Sequence, residues 1–427
     1  MNLKKVAIVA ILVLSVTSLI FSGGSGQKGS ASSTAGAQTG SKELNIYYSG
    51  NMQPHEKEFF TDVFVKKFET KYGVKVNVEF VGQSDGIKKI ESEQSTGNII
   101  ADLIYVDTPW VGFYINPGYM ENIKGKSHPG STITSMFDYL IIRDGAQYFI
   151  PTDFDVYILA ANVDALKYLP AGVTRQNVID GITWEQYVDW AINIAKGEGV
   201  GKTMMPALNQ GSQLLYPMAG MTMAYGGGFP DFTSDGFKKA LDLIAKMAAG
   251  NAFYPEMAQY SAPTDPMRSR DVWLTFAHMG PIGVAYNAAP NEWVIGAAPK
   301  GSKGAGTTAG AWGYGLVKGA KHRDLAETWL DYVTTPEVNY EFCSTMALLS
   351  PIKEASSLFS PTDVIMAAGN KMLVDTVISG VPSIDYQDWN AVKLLYHDAF
   401  DYVMTNKQVP PDSFLRDLDA KCQALKN

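Results

Sequence analysis

The fold is decided by three apolar runs: Leu44-Asn45-Ile46-Tyr47-Tyr48, Val74-Lys75-Val76-Asn77-Val78-Glu79-Phe80 and Leu103-Ile104-Tyr105-Val106. Aromatic and β-branched residues dominate them, and the second run alternates strictly, which is typical of strands. Apolar residues recur at helical spacing from Phe60 to Phe68, ahead of Gly73, and Ile87 to Gln94 can form a short helix. The order strand, helix, strand, helix, strand predicts a parallel sheet and hence an α/β protein.

The same alternation continues along the chain. A strand is predicted over Val156 to Ala161, and a helix over Asp164 to Leu169 ends at a proline. Thr183 and Gln186 have the spacing of a capping box, so a helix begins after Thr183 and is expected to end at Gly197.

The later part of the chain adds two helices, a strand and a glycine-rich connection. Helices are predicted from Asp235 to Gly250 and from Asp324 to Thr334, while Trp293 to Pro299 is strand-like. The stretch from Gly301 to Gly315 is rich in glycine, so we expect a loop there before a strand that ends at Leu316-Val317.

Length and composition exclude several classes of protein. The chain has 427 residues, of which 46% are hydrophobic and 18% are charged, so disorder of the whole chain is excluded. It carries 35 Lys and Arg against 43 Asp and Glu, which gives a net charge of −8. Nucleic acids and anionic membranes are not expected as partners, because phosphate recognition needs clustered positive charge.

The N-terminus has the pattern of an export signal. Lys4 and Lys5 precede an uncharged apolar run from Val6 to Phe21, and small residues follow that run. We expect a signal sequence at residues 1–22, a flexible linker at 23–41, and a protein that works outside the cytoplasmic membrane. No clear cleavage site follows the run, so an uncleaved N-terminal anchor is the alternative. No cysteine follows it either, so a lipid anchor is not expected.

The sequence lacks the motifs of common catalytic and metal centres. Phosphate-binding loop, nucleophile-elbow and zinc-protease motifs are all missing, so neither a metal nor a cofactor is expected. Five histidines occur without metal-ligand spacing: His55, His128, His278, His322 and His397. Cys343 and Cys422 form either one disulfide or two separate buried thiols. A binding protein is therefore favoured over an enzyme.

The order of segments resembles that of the extracellular solute-binding proteins of ATP-driven sugar importers, the family that includes maltose-binding protein. The similar segments, in chain order, are Phe68 to Val76, Gly97 to Asp107, Ile150-Pro151, Asn162 to Leu166, Thr183 to Gln186, Ala309 to Leu316, Ala326 to Val333, Thr335 to Glu337 and Ser350-Pro351. The chain departs from the family at Gly280-Pro281-Ile282, where tryptophan often follows the proline. One usual sugar-stacking ring is therefore missing.

The resemblance implies a two-lobe periplasmic-binding-protein fold of type II, in which each lobe is a sheet flanked by helices and is discontinuous in sequence. We expect lobe one at residues 42–152 and 299–351, and lobe two at residues 153–298 and 352–427. The solute would bind in the cleft between the lobes. Ligands of open parallel sheets also lie beyond the carboxyl ends of strands, which agrees with that placement.

By the same resemblance, the protein is expected to be the monomeric receptor of an ABC importer. It would deliver a carbohydrate-type solute to the membrane permease subunits of that importer. Two alternatives stay open: an exported carbohydrate-active enzyme, and a receptor for a non-sugar solute such as a polyamine.

Candidate ligand-binding residues lie at the ends of the predicted strands. Asn51 follows the first strand, and Asp107 and Trp110 follow the third. A carboxylate accepts sugar hydroxyls and an indole stacks on sugar C–H groups. The alternative is that Asp107 caps the following helix and Trp110 belongs to the core. Asp153 and Asp155 lie at the first crossing between lobes, where Asp155 matches a family position that usually accepts ligand hydroxyls. Turn carboxylates are the alternative for both.

Further candidates come from lobe two and from the glycine-rich stretch. Gln213, Tyr216 and Tyr225 lie near glycine-containing turns, which either let a ligand approach the backbone or form ordinary loops. Trp312 and Tyr314 form an aromatic pair in a glycine-rich connection, a placement unlike that of a core stripe. We expect Asp155 and Trp312 to matter more for binding than any lysine or histidine.

Overall fold

The computed structural model describes residues 42–427, apart from positions 51, 53, 209–212, 361 and 374–375. The signal sequence expected at 1–22, the linker expected at 23–41 and the candidate Asn51 lie outside the described residues. None of the helices in the described part of the chain combines the length and the apolar character needed to cross a membrane.

The strands of the described residues form one large mixed sheet and a separate small hairpin. They are β1 Glu43–Ser49, β2 Lys75–Val81, β3 Leu103–Asp107, β4 Ile142–Arg143, β5 Ala146–Gln147, β6 Ile150–Asn162, β7 Thr203–Met204, β8 Leu274–His278, β9 Trp293–Gly296, β10 Lys300–Gly301, β11 Gly304–Leu316 and β12 Thr376–Gly380. The order in the sheet is β2-β1-β3-β11-β6-β8-β7. Strands β10 and β12 also pair with β11, β9 pairs with β6, and β4 and β5 form the hairpin.

Helices pack around this sheet. They are α1 Pro54–Glu58, α2 Lys66–Tyr72, α3 Gln83–Thr96, α4 Gly112–Ile115, α5 Asp138–Ile141, α6 Arg175–Asp180, α7 Trp184–Glu198, α8 Leu215–Ala224, α9 Asp235–Ala249, α10 Thr264–Arg268, α11 Met279–Ala288, α12 Arg323–Thr334, α13 Pro336–Met346, α14 Lys353–Ser356, α15 Val364–Met372, α16 Trp389–Asn406 and α17 Asp412–Ala424. A π-helical segment, Phe59–Val65, joins α1 to α2. Short 3₁₀ turns occur at Thr108–Trp110, Ser135–Phe137, Val163–Tyr168, Met257–Gln259, Pro290–Glu292 and Ser383–Asp385.

The strands expected at the start of the chain are confirmed. β1 pairs in parallel with both β2 and β3, as the alternation of strands and helices predicts. The helix between β1 and β2 ends at Gly73, whose φ of 62° is a left-handed conformation that glycine adopts without strain. Its apolar face packs on α12, where Phe68 lies 4.8 Å from Trp329 between ring centroids. The parallel pairing places the carboxyl ends of β1 and β3 at the same edge of the sheet.

Two long strands connect the two parts of the sheet. The first half of β6 pairs with β11 around residues 150–155, and its second half pairs with β8 and β9. The second half of β11 pairs with β3, and its first half pairs with β12. Because both strands run through the junction, side chains near their middles meet the end of β3.

The capping box is confirmed, and the expected end of its helix is wrong. Gln186 N donates to Thr183 Oγ1 at 3.2 Å, while the Gln186 side chain accepts from Thr183 N at 2.9 Å. The helix continues through Gly197 to Glu198. A Cβ atom on Gly197 would lie 2.1 Å from the ring of Tyr168, so this glycine admits a neighbouring ring instead of ending the helix.

The loop expected from Gly301 to Gly315 is also wrong, because most of that stretch is strand β11. A Cβ atom on Gly306 would lie 2.2 Å from the carbonyl oxygen of Gly220, and one on Gly313 would lie 2.6 Å from that of Ile150. Glycine is needed here because neighbouring backbones approach too closely for any side chain.

The structure decides between the two alternatives for the cysteines. Cys343 and Cys422 are separate, buried, free thiols. Cys343 Sγ donates to the carbonyl oxygen of Thr152 at 3.5 Å, so it packs as a small core residue.

Candidate ligand-binding site

The acidic candidates meet where β3, β11 and β6 lie side by side. Trp312 of β11 pairs with Asp107 on β3 and with Asp153 on β6, and Gly310 pairs with Asp155. Gly310 and Trp312 are two residues apart on one strand, so they face the same side of the sheet. The register therefore places the three carboxyl groups around one surface of β11.

Asp107 and Asp155 bring one oxygen each to the same position. A Cβ atom on Gly310 would lie 3.8 Å from Oδ1 of Asp107 and 3.9 Å from Oδ1 of Asp155. Enclosure by protein and repulsion from Asp155 raise the pKa of Asp107 to about 7. Lys393 and His278 oppose that shift. A hydrogen-bond donor between the two carboxylates would relieve their repulsion.

Asp153 is enclosed by the protein instead of facing the open site. Its side chain is fully buried, and it accepts hydrogen bonds from the Tyr105 hydroxyl and, at 3.1 Å, from Thr152 Oγ1. Burial raises its pKa to about 7, despite these two hydrogen bonds. Its Oδ1 has no hydrogen-bond partner among the described residues.

The indole of Trp312 is supported from one side and remains partly exposed. Its ring stacks on Tyr48 and Tyr105, with centroid distances of 5.6 and 5.4 Å and interplanar angles of 25° and 29°. A Cβ atom on Gly50 would lie 2.3 Å from Cη2 of Trp312, so the bare backbone of Gly50 packs directly against the indole. Trp110, also partly exposed, lies 5.6 Å from Phe113 between ring centroids.

Histidine and tyrosine side chains from β6 and β8 adjoin the Asp155 carboxylate. His278 Nδ1 lies 2.9 Å from Asp155 Oδ2, and the Tyr157 hydroxyl lies 2.5 Å from His278 Nε2. Asp155 and His278 are mostly buried, with 17% and 21% of their side chains exposed. The site therefore contains a row of hydrogen-bonded side chains, Asp155, His278 and Tyr157, on the Oδ2 side of Asp155.

Helices α8 and α16 add a second group of side chains. Trp389 Nε1 donates to the Tyr216 hydroxyl at 3.4 Å, and both residues are buried. Lys393 Nζ lies 5.9 Å from the centre of the Tyr216 ring. Burial lowers the pKa of Lys393, and Asp107 opposes that shift. Among the described residues, no carboxylate lies within ion-pair distance of Lys393.

Tyr314, Tyr225 and Gln213 have other neighbours. Tyr314 is 2% exposed and packs 4.5 Å from Tyr105 between ring centroids, inside the core. The Tyr225 hydroxyl donates to Glu185 Oε1 at 2.8 Å, at the start of α7. Gln213 precedes α8, and its carbonyl oxygen accepts from the backbone of Tyr216 at 3.1 Å. Of the sequence candidates in the described part of the chain, the structure thus brings Asp107, Asp153, Asp155, Trp312 and Tyr216 into one neighbourhood, with Asp153 fully buried.

Four neighbours of the site were missed by the sequence analysis: Tyr157, His278, Trp389 and Lys393. His278 is the last residue of β8, and a polar residue at the end of an apolar strand is the signal that could have identified it. Lys393 lies between Trp389 and Tyr396 on the buried face of α16. A lysine among buried aromatic residues of a helix is a second such signal.

Metal sites and cavities elsewhere do not change this assignment. Within the described ranges, no group of three His, Cys, Asp or Glu residues is arranged to hold a metal ion. A cavity of about 270 Å³ lies between Phe113 and Tyr119 on one side and Ser383 and Tyr386 on the other. Its lining does not include the carboxylates around Gly310.

Comparison with known proteins identifies the family. The family model of bacterial extracellular solute-binding proteins matches residues 64–371 of this chain. No curated protein sequence matches it.

Solved structures share the fold at low sequence identity. An ABC transporter solute-binding protein from Thermotoga lettingae, bound with alpha-D-tagatose, has a TM-score of 0.74 at 17% identity, covering 90% of this chain and 100% of its own. The sugar-binding protein MalE from Xanthomonas citri has a TM-score of 0.71 at 18% identity, with 90% and 97% covered. UgpB from Mycobacterium tuberculosis, in complex with glycerophosphocholine, has a TM-score of 0.72 at 13% identity, with 90% and 99% covered. The expected two-lobe α/β fold of type II is confirmed.

Proposed function

The chain belongs to the bacterial extracellular solute-binding proteins, and on that premise we propose that it is an ABC importer receptor for a carbohydrate-type solute. The ligand class is supported by the positions of three side chains. Asp107 and Asp155 both approach Gly310, and Trp312 lies on the same face of the sheet. Sugar hydroxyls need fixed acceptors, and sugar C–H faces need a flat aromatic surface. The tagatose and sugar-binding descriptions of two similar structures support the same class.

A receptor of this kind needs two lobes that close on the solute. We place the lobes at residues 42–152 with 299–351 and at residues 153–298 with 352–427. Ser383 Oγ donates to the carbonyl oxygen of Thr108 at 3.1 Å, immediately after Asp107. With these boundaries, that hydrogen bond joins the two lobes. Solute that touches both lobes would select the closed form.

The family is extracellular, so the protein acts outside the cytoplasm. The proposal adds that residues 1–22 direct export, that residues 23–41 act as a linker, and that the lobes then serve a membrane permease. Mass spectrometry of the protein from its own cells would show whether the apolar N-terminal segment is removed or retained as an anchor.

An exported glycosidase is the second candidate, and one observation favours it. Asp107 has a pKa raised to about 7 and faces Asp155, a pairing that could supply the acid and the base of glycoside hydrolysis. Incubation with maltose and maltotetraose followed by chromatography separates the two functions, because a receptor returns both sugars unchanged. A polyamine receptor is the third candidate, because Asp107 and Asp155 would attract a polycation whereas Lys393 would repel it.

The proposed function is tested by a thermal-shift screen followed by calorimetry, with maltose, maltotetraose, D-tagatose and spermidine as probes. A solute at 100-fold its Kd adds about 2.7 kcal/mol to the free energy of unfolding. Asp155→Asn should weaken binding of the best sugar by about tenfold or more. Asp189→Asn is the matched control, because Asp189 lies on the exposed face of α7. Stabilisation by spermidine and by none of the sugars would overturn the ligand class.

A further inference from the structure

A chain of hydrogen bonds links three residues on two neighbouring strands. Asp155 and Tyr157 are two residues apart on β6, so they face the same side of the sheet. His278 of β8 is the antiparallel partner of Tyr157. The imidazole therefore lies between the two β6 side chains, with Nδ1 at 2.9 Å from Asp155 Oδ2 and Nε2 at 2.5 Å from the Tyr157 hydroxyl.

The donors and acceptors of this chain determine the tautomer of His278. An ionised carboxylate only accepts hydrogen bonds, so His278 Nδ1 must carry the proton that is donated to Asp155. Burial raises the pKa of Tyr157 well above its usual value, so its hydroxyl keeps its proton and donates to Nε2. In this arrangement both ring nitrogens of His278 are satisfied, and neither is left to bind a solute.

The same chain leaves Asp155 with one oxygen available. Oδ2 is engaged by His278, whereas Oδ1 faces the position above Gly310 that Asp107 also faces. A carboxylate held at one oxygen has a fixed rotamer, and its second oxygen has a fixed direction. The Tyr157 and His278 rings pack at a centroid distance of 4.3 Å, which further restricts the imidazole.

We infer that His278 is a positioning residue for solute binding: it holds Asp155 so that Oδ1 alone accepts a single hydroxyl of the solute. His278 itself touches the carboxylate and not the solute. This inference rests on the proposed function, because it assigns how one acceptor of the proposed site is oriented.

Spectroscopy of the solute-free protein tests the first part of the inference. In protein labelled with ¹⁵N-histidine at pH 8, long-range ¹H–¹⁵N correlations distinguish the two neutral tautomers, and His278→Asn identifies the His278 signals. We expect the Nδ1–H tautomer at His278. An Nε2–H tautomer would overturn the inference, because Nδ1 could then not donate to Asp155.

Calorimetry with the strongest-binding sugar among maltose, maltotetraose and D-tagatose tests the second part. We expect His278→Ala to lower affinity about tenfold, and to have less than a twofold effect when Asp155 is already alanine. His278→Asn keeps a donor near the Nδ1 position and should stay within threefold of the parent, whereas His278→Gln, with its donor near the Nε2 position, should not. Equal losses of affinity in His278→Asn and His278→Gln would indicate a merely structural role and overturn the inference. Additive losses of affinity when His278→Ala is combined with Asp155→Ala would do the same.

The matched control is His128→Ala, which removes a histidine at 3.1 Å from Asp331 elsewhere in the fold. Its affinity should equal that of the parent. If no sugar binds the parent, the proposed ligand class fails, and the tautomer alone then decides the inference: Nδ1–H supports it and Nε2–H overturns it. If Asp155→Ala weakens sugar binding while His278→Ala does not, the proposed function stands and the inference fails.

Discussion

Asp107 and Asp155 face the same bare position on β11, with one carboxylate oxygen of each less than 4 Å from the point where a Cβ atom of Gly310 would lie. No side chain of β11 fills that position, because the residue between the two carboxylates is glycine. Asp107 comes from the end of β3 and Asp155 from the middle of β6, so the two oxygens are brought together by strand register and not by local sequence. A methyl group at residue 310 would therefore reach the proposed solute position without displacing protein atoms.

The first prediction is that Gly310→Ala lowers solute affinity by more than tenfold while the protein becomes slightly more stable than the parent. The added methyl group would meet both carboxylate oxygens at ordinary van der Waals distance and exclude the solute hydroxyl from between them. Gly310 lies in extended backbone within β11, so alanine fits and should stabilise the fold by about 0.4–1 kcal/mol. Calorimetry and thermal unfolding measure the two effects.

Gly228→Ala is the control for this substitution, because a Cβ atom there has no neighbour within 4 Å. Its affinity should match that of the parent. Unchanged affinity in Gly310→Ala would show that the solute does not approach β11 between the two carboxylates.

The second prediction concerns the indole of Trp312. Trp312→Ala should weaken sugar binding by roughly 1–3 kcal/mol, because the partly exposed ring is the proposed stacking surface. It should also lower the free energy of unfolding, since the ring stacks on Tyr48 and Tyr105. Trp312→Phe keeps a ring on those tyrosines and should recover most of the stability but only part of the affinity. Equal sugar affinity in the alanine variant, measured by calorimetry on folded protein, would remove Trp312 from the site.

The third prediction is a pH dependence of binding that originates at Asp107. Its pKa is raised to about 7, and only the ionised carboxylate can accept hydrogen bonds at both oxygens. Sugar affinity should therefore rise about tenfold between pH 6 and pH 8, and binding below pH 7 should release a proton. The groups that face Asp107 are Asp155 on β6, His278 on β8 and Lys393 on α16. Calorimetry in two buffers of different ionisation enthalpy measures the proton release.

Asp107→Asn is the variant that checks this assignment, because it should bind weakly and with no change of affinity between pH 6 and pH 8.

The stability of the fold should depend on pH in the opposite direction to sugar affinity. Raised pKa values of Asp107 and Asp153 favour the protonated folded form, so their stabilisation is present at low pH and lost as the pH rises through about 7. The loss falls between the usual carboxyl pKa of about 3.8 and about 7, and buried His397, whose pKa is lowered, offsets part of it up to about pH 6.5.

The sequence predicts the fold well because the decisive signals are local. Alternation in β1 to β3, the glycine at the end of α2 and the capping box of α7 each depend on a few neighbouring residues. The error at β11 has a different origin. Glycine usually indicates a loop, whereas Gly306 and Gly313 are required because Gly220 and Ile150 of other elements come too close for a side chain. That requirement depends on packing between segments distant in sequence.

Only the site residues at a strand end or at the expected lobe crossing could be predicted from the sequence. Asp107 ends β3, and Asp155 lies in β6, at the crossing that the family resemblance indicates. His278 and Lys393 reach the same carboxylates from segments more than a hundred residues further along the chain, through strand pairing and helix packing. The expectation that Asp155 and Trp312 matter more for binding than any lysine or histidine stays a prediction, and the experiments on His278 and Lys393 test it.

The last prediction concerns Lys393, the buried cation of α16. Burial lowers the pKa of Lys393, and its charge opposes the raised pKa of Asp107. Lys393→Met should therefore raise the pKa of Asp107 further, protonate it at pH 7 and weaken sugar binding about tenfold there, with partial recovery at pH 9 where Asp107 ionises again. The same change removes a repulsive charge, so spermidine should bind no worse than to the parent. Lys196→Met on the exposed face of α7 is the matched control and should leave both affinities unchanged. If Lys393→Met binds sugar as tightly as the parent at pH 7, Lys393 does not govern the protonation of Asp107 and the prediction is wrong.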